Sequence, residues 1–162
     1  MFIIGIDNGV SGSIGVINTE TNKAECFLTP IKKCLNYTKN KQWMNRIDVI
    51  ELCKLLEKSK NNSKAFIERP MVNPARFKAT VSALRAMEAT LIVLEELAIP
   101  YEYIDSRVWQ KMLLPTGIKG SSELKRAGIQ VAGRLFPDIK LTGDGDGLLI
   151  AEYGRRKANS QI

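Results

Sequence analysis

Histidine is absent from the 162-residue chain, and cysteine is scarce, with only Cys26, Cys34 and Cys53. The first absence excludes histidine triads, His-ligated zinc, haem with a His ligand and His-metal nuclease motifs together. An odd number of cysteines without a C-x-x-C spacing predicts reduced, packing thiols in a cytoplasmic setting. No run approaches the ~20 apolar residues that span a bilayer. The start, MFIIGIDNG, has no charged leading region and meets Asp7 early, which argues against a signal peptide. Repeats and low-complexity stretches are missing too, so residues 1–162 are read as a single domain.

What is present is an excess of positive charge. Lys and Arg total 24 against 17 for Asp and Glu, a formal net charge of +7 in an otherwise ordinary composition of 44% hydrophobic and 25% charged residues. Such a balance favours polyanionic partners, because phosphate backbones reward Lys and Arg by counterion release. The excess is concentrated in Ile31–Arg46, IKKCLNYTKNKQWMNR, which holds Lys32, Lys33, Lys39, Lys41 and Arg46, no acid, and the interleaved aromatics Tyr37 and Trp43. Two readings stand side by side: a solvated loop anchored by its two aromatics, or a surface that reaches phosphates and stacks on exposed bases.

Hydrophobic patterning orders the rest. Phe2–Ile6, Ser13–Ile17 and Ala24–Leu28 read as three consecutive antiparallel strands, the first two joined through the glycine-rich turn Asp7–Gly12. A helical stripe runs from Ile47 to Leu56, and Ala65–Ile67 is a short strand whose tip is Glu68, because Pro70 and Pro74 exclude continued pairing. A long helix is predicted over Ala79–Ala98 with Val81, Leu84, Met87, Leu91, Leu94 and Ala98 on one face. Then follow a strand at Tyr101–Ile104, a short helix carrying Trp109 that Asp105 and Ser106 can cap, and a helix from Ser121 to Pro137 with the stripe Leu124, Ala127, Val131, Leu135. The loop TGDGDG leads into a last helix over Gly147–Lys157. Strands first and strand–helix alternation afterwards predict an α/β fold, a mixed sheet with helices on its faces.

The telling residues are acids at element ends. Asp7 and Glu68 end apolar strands, and Asp144 and Asp146 lie just before, or in the first turn of, the last helix. If the two strands are neighbours, Asp7 and Glu68 emerge together, and the last helix can bring Asp146 across to them. Singly, each acid also reads as a turn or helix cap. Together they would repel and hold protons, unless a hard divalent cation such as Mg²⁺ (or Mn²⁺) neutralises them. Two such ions roughly 3.5–4 Å apart suit phosphodiester hydrolysis.

At these residues the sequence resembles the RuvC-type Holliday junction resolvases of the RNase H-like superfamily. The matching pieces are IIGIDNGVSGSIGVI, FIERP, SSELKRAGIQVAGRLFP and GDGLLIAEYGRR, spread over residues 2–156, and their flavour is most similar to phage-encoded members. The resemblance implies an RNase H-like five-stranded mixed sheet, with three antiparallel strands followed by parallel ones. It implies Asp7, Glu68 and Asp146 as ligands of two metal ions, and Lys125 as the lysine beside the scissile phosphate. It also implies a homodimer that pairs through the long helix and makes two symmetric nicks in four-way DNA junctions, within a bacterial host's cytoplasm if the source is a phage. Two departures stand out: Asn8 replaces the proline of GIDPG, and Gly143 replaces the first acid of a D-x-x-D spacing. Residues two apart on a helix face nearly opposite ways, so Asp144 joins Asp146 as a ligand only from the preceding loop, with Gly145 as pivot.

Lys125 reads as solvated surface or as bordering a cleft, and Lys119 is a second candidate. Arg69, Arg76 and Lys78 are candidate phosphate contacts, and Phe77 is a junction wedge or a packing residue. The glycine-rich first hairpin also suits actin-like phosphotransferases, but 162 residues leave no room for their second lobe, so no nucleotide cofactor is expected. A branched-DNA module that does not cut, and a nuclease of the same fold acting on flaps or RNA–DNA hybrids, remain alternatives.

Overall fold

The computed structural model describes residues 1–160. Strands β1 (Phe2–Ile6), β2 (Ser13–Asn18), β3 (Ala24–Leu28), β6 (Ser63–Glu68) and β7 (Tyr101–Ile104) form one sheet in the order β3-β2-β1-β6-β7. The β1–β2 and β2–β3 pairs are antiparallel, and β1–β6 and β6–β7 are parallel. This is the mixed five-stranded sheet that the sequence predicts, with β1 at its centre. Among the described residues five α-helices cover it: α1 (Val49–Glu57), α2 (Phe77–Glu96), α3 (Ser106–Leu113), α4 (Ser121–Leu135) and α5 (Asp146–Asn159). No helix among the described residues is long and apolar enough to cross a membrane, and the three cysteines are free.

Strand alternation divides the core in two. Ile4, Ile6, Ala65 and Ile67 pack with α1 and α2, whereas Ile3 and Phe66 pack with α3, α4 and α5. Gly5 and Gly15 lie under α5. A Cβ on Gly5 would come within 2.2 Å of the Ala151 nitrogen, and one on Gly15 within 2.3 Å of the Leu148 Cα. The helix therefore rests on the bare backbone of the two central strands. At its start the Gly147 N–H donates to the fully buried Ser13 hydroxyl at 2.9 Å, which satisfies a first-turn amide from across the interface.

Several expectations are corrected. The basic segment is a two-stranded sheet rather than a loop: β4 (Ile31–Leu35) pairs antiparallel with β5 (Trp43–Ile47). It is anchored by Ile47, while Tyr37 and Trp43, assigned to anchoring in one reading, are 86% and 70% exposed. Strand β6 begins two residues earlier than expected, and α2 spans Phe77–Glu96 rather than Ala79–Ala98. The buried face of α2 is Thr80, Ala86, Met87, Thr90, Val93 and Leu94, and Leu84 is 45% exposed. Threonine fits the core side because its hydroxyl is satisfied on the backbone: Thr90 donates to the Ala86 carbonyl and Thr80 to that of Asn73. Asp105 precedes α3 but makes no side-chain cap; its carboxylate pairs with Arg69 at 3.3 Å.

Candidate metal centre

Parallel pairing of β1 and β6, with Ile6 opposite Ile67, puts Asp7 and Glu68 next to each other as the strands end. Both follow the parity of residues that face α5. The glycine contacts beneath α5 then fix where its first residue, Asp146, must lie. Gly145 adopts the left-handed conformation (φ 74°) and turns Asp144 out of the helical register. Carboxylate oxygens of Asp7, Asp144 and Asp146 consequently lie within 4.8 Å of one another.

Glu68 lies beside this trio but outside it. Its Oε2 accepts a 2.7 Å hydrogen bond from the indole Nε1–H of Trp109, which is buried on α3. Lys125 on α4 also borders the trio, with its Nζ 3.4 Å from Asp144 Oδ2 and its side chain 65% exposed. Gly128, one turn further along α4, gives Asp146 room: a Cβ there would sit 3.3 Å from Asp146 Oδ1.

The electrostatics are those of a site short of positive charge. Burial first, and then the carboxylates of Glu68, Asp146 and Asp144, push Asp7 up from 3.8 to about 8; Lys125 acts in the opposite sense. Burial, followed by Asp144 and Glu68, lifts Asp146 to about 7, again against Lys125. Glu68 is raised by burial, with the Trp109 N–H pulling it back and Asp144 adding to the rise. One lysine against several carboxylates leaves the pocket anionic once it is deprotonated. An all-oxygen donor set with that deficit fits a hard divalent cation of the Mg²⁺ or Mn²⁺ kind.

The basic residues fall into two groups. Lys32 and Lys33 on β4, Lys39 and Lys41 at the hairpin tip, and Arg46 on β5 are all exposed. Among the described residues, only Lys32 of these makes an ion pair, at 4.0 Å from Asp48. The second group, Arg69, Arg76, Lys78 and Lys119, lies between Glu68 and Asp144 in the sequence. Arg76 immediately precedes α2, Lys78 lies in its first turn, Lys119 precedes α4, and all three are exposed without an ion pair among the described residues. Arg69 is occupied by Asp105 and lies 6.0 Å from the Tyr103 ring centroid. Phe77 is 72% exposed, so it is not a core packing residue.

Trp109, Gly128 and Ser13 escape sequence reasoning as parts of the site. A buried tryptophan needs an acceptor for its N–H, but which acceptor depends on how α3 is seated.

No family model and no curated protein matches the chain by sequence. Solved structures do match by shape. Thermus thermophilus RuvC in complex with a Holliday junction substrate superposes with a TM-score of 0.66 at 12% identity, over 99% of this chain and 96% of that one. A second Thermus thermophilus RuvC structure gives 0.62 at 14% identity, over 99% and 97%. The chain thus shares the RuvC, RNase H-like fold along nearly its whole length.

Proposed function

We propose that the chain is a structure-selective DNA endonuclease that resolves four-way junctions by metal-dependent phosphodiester hydrolysis, acting as a homodimer. The observation that carries this reading is the gathering of Asp7, Asp144 and Asp146 oxygens within 4.8 Å of one another, with Glu68 alongside. Similarity to a RuvC structure holding a Holliday junction supports the choice of substrate. Asp7, Glu68, Asp144 and Asp146 would hold Mg²⁺ or Mn²⁺, two ions per site, which when bound supply an activated water and charge stabilisation at the leaving oxygen.

The chain's own residues do the rest. Lys125 Nζ, paired with Asp144 yet largely exposed, can turn to a phosphate oxygen that enters the pocket, or give a proton to the leaving oxygen. Lys33, Lys39, Lys41 and Arg46, with Lys32, Arg76, Lys78 and Lys119, offer charge to the DNA backbone. Arg69 contributes only if it exchanges Asp105 for a phosphate. Leu84 and Ile92 on the outward side of α2 are 45% and 54% exposed and suit an isologous contact with a second copy.

The test is cleavage of an immobile four-way junction, a flap, a plain duplex and an RNA–DNA hybrid with Mg²⁺ or Mn²⁺. Paired nicks in the junction, at least about a hundredfold faster than in the others, are the expected result. Asp7→Asn, Glu68→Gln and Asp146→Asn should each lose cleavage and keep junction binding, since each removes negative charge near DNA. Full cleavage by any of the three variants would refute that ligand assignment, and equal cutting of flap or hybrid would refute the substrate.

A further inference from the structure

Trp109 is the largest of the fully buried side chains, 1% exposed, yet it does not end in the apolar core. It belongs to the core cluster that includes Ile3, Phe66 and Leu149, while the indole Nε1–H points at the tip of β6 and donates to Glu68 Oε2 at 2.7 Å. An indole carries one donor and no acceptor, and burying it unpaired is costly. Here the partner is a carboxylate, which makes the bond charge-assisted and directional. At 1% exposure, the ring is held in place by the close packing of the core.

That bond divides the two oxygens of Glu68. Oε2 is engaged by a rigid neutral donor, and Oε1 takes no hydrogen bond from the protein among the described residues. Glu68 also stands apart from the three carboxylates whose oxygens converge. Free of Trp109, its side chain would have both oxygens and several rotamers available. We infer that Trp109 is a positioning residue that locks Glu68 so that Oε1 alone is offered to a divalent cation held by Asp7, Asp144 and Asp146. The inference rests on the metal-centre reading given above, and adds to it a residue that touches neither metal nor DNA. Partners that orient a ligand typically change metal affinity 10–100-fold when removed.

Trp109→Phe deletes the N–H and keeps an aromatic ring in the core, at the cost of some volume, so the comparison on a Glu68→Ala background separates the lost bond from the lost packing. Mn²⁺ titrated into the DNA-free protein, followed by calorimetry, should bind the variant at least about tenfold more weakly than the wild type. In junction cleavage, the Mn²⁺ concentration for half-maximal rate should rise in step, while the rate at saturating metal changes far less. On a Glu68→Ala background the same substitution should have no effect on Mn²⁺ affinity, because nothing is left to hold. In the wild type, Mg²⁺ should shift the indole N–H NMR resonance of Trp109 and leave that of the exposed Trp43 in place. Unchanged Mn²⁺ affinity in Trp109→Phe would overturn the inference, as would an equal loss on the Glu68→Ala background or an unmoved Trp109 resonance. The metal titrations contain no DNA, so failure to cut junctions would count against the proposed function and leave this result standing by itself.

Discussion

Without a cation, the carboxylate pocket should make the protein less stable as pH rises, the reverse of what ordinary salt-bridged acids do. Asp7 takes up its proton at about 8 when folded and near 3.8 when unfolded. Between these values the folded chain holds a proton that the unfolded chain has released, so stability is greatest at the acid end and is lost as pH climbs towards 8. From pH 6 to pH 8 the linkage amounts to about 2 kcal/mol for Asp7, and about 1 kcal/mol more for Asp146, whose value rises to about 7. For a chain of this size the Asp7 part alone corresponds to a fall in melting temperature of roughly 4–8 °C. The assay is urea or thermal unfolding in chelator at pH 6, 7 and 8. Asp7→Asn should remove most of the slope and exceed the wild type in stability at pH 8, and Asp7→Asn with Asp146→Asn should be flat. Saturating Mg²⁺ should raise the wild type most at pH 8. A wild-type protein whose chelated stability is constant or increasing over this interval would refute the reasoning.

The same protonation governs metal uptake. Cation and proton compete for Asp7 and Asp146, so Mn²⁺ affinity should increase from pH 6 to about 8 and level off beyond; calorimetry in buffers of different ionisation enthalpy would show proton release, and its absence would contradict the raised values. Gly128→Ala adds a methyl group 3.3 Å from Asp146 Oδ1. Helix propensity favours the alanine by up to about 1 kcal/mol, so melting should stay level or rise while cleavage slows about tenfold or more from the displaced carboxylate; wild-type activity would show that Asp146 has slack. Replacing Lys33, Lys39, Lys41 and Arg46 with alanine should flatten the plot of log junction affinity against log salt by about 3–4 for each protomer bound. An unchanged slope would move the DNA contact off the hairpin.

Much of the site can be read from residues because the elements that carry it are simple. β1 and β6 are short, apolar and bounded by turn residues, so their tips, Asp7 and Glu68, are legible without coordinates. The glycines flanking Asp144 and Asp146 likewise announce a bend that frees Asp144 from the helix. The β4–β5 hairpin is illegible for the opposite reason: most of its residues, Lys32, Lys33, Asn45 and Arg46 among them, face water, so no period-2 contrast between a wet and a dry face survives. On α2, Thr80 and Thr90 displace the stripe because a threonine whose hydroxyl is spent on the backbone behaves as an apolar side chain. The Trp109–Glu68 bond joins residues far apart in the chain, and only the seating of α3 reveals it.

The seat of α5 on Gly5 and Gly15 has a further consequence for when the protein can act. Asp7 leaves the ribosome long before Asp146 does. Until α5 docks, the acids are separate side chains on an unfinished sheet, with nothing to concentrate a cation between them. Under the proposed function, the chain becomes competent to cut nucleic acid only when α5 docks on the bare backbone of Gly5 and Gly15.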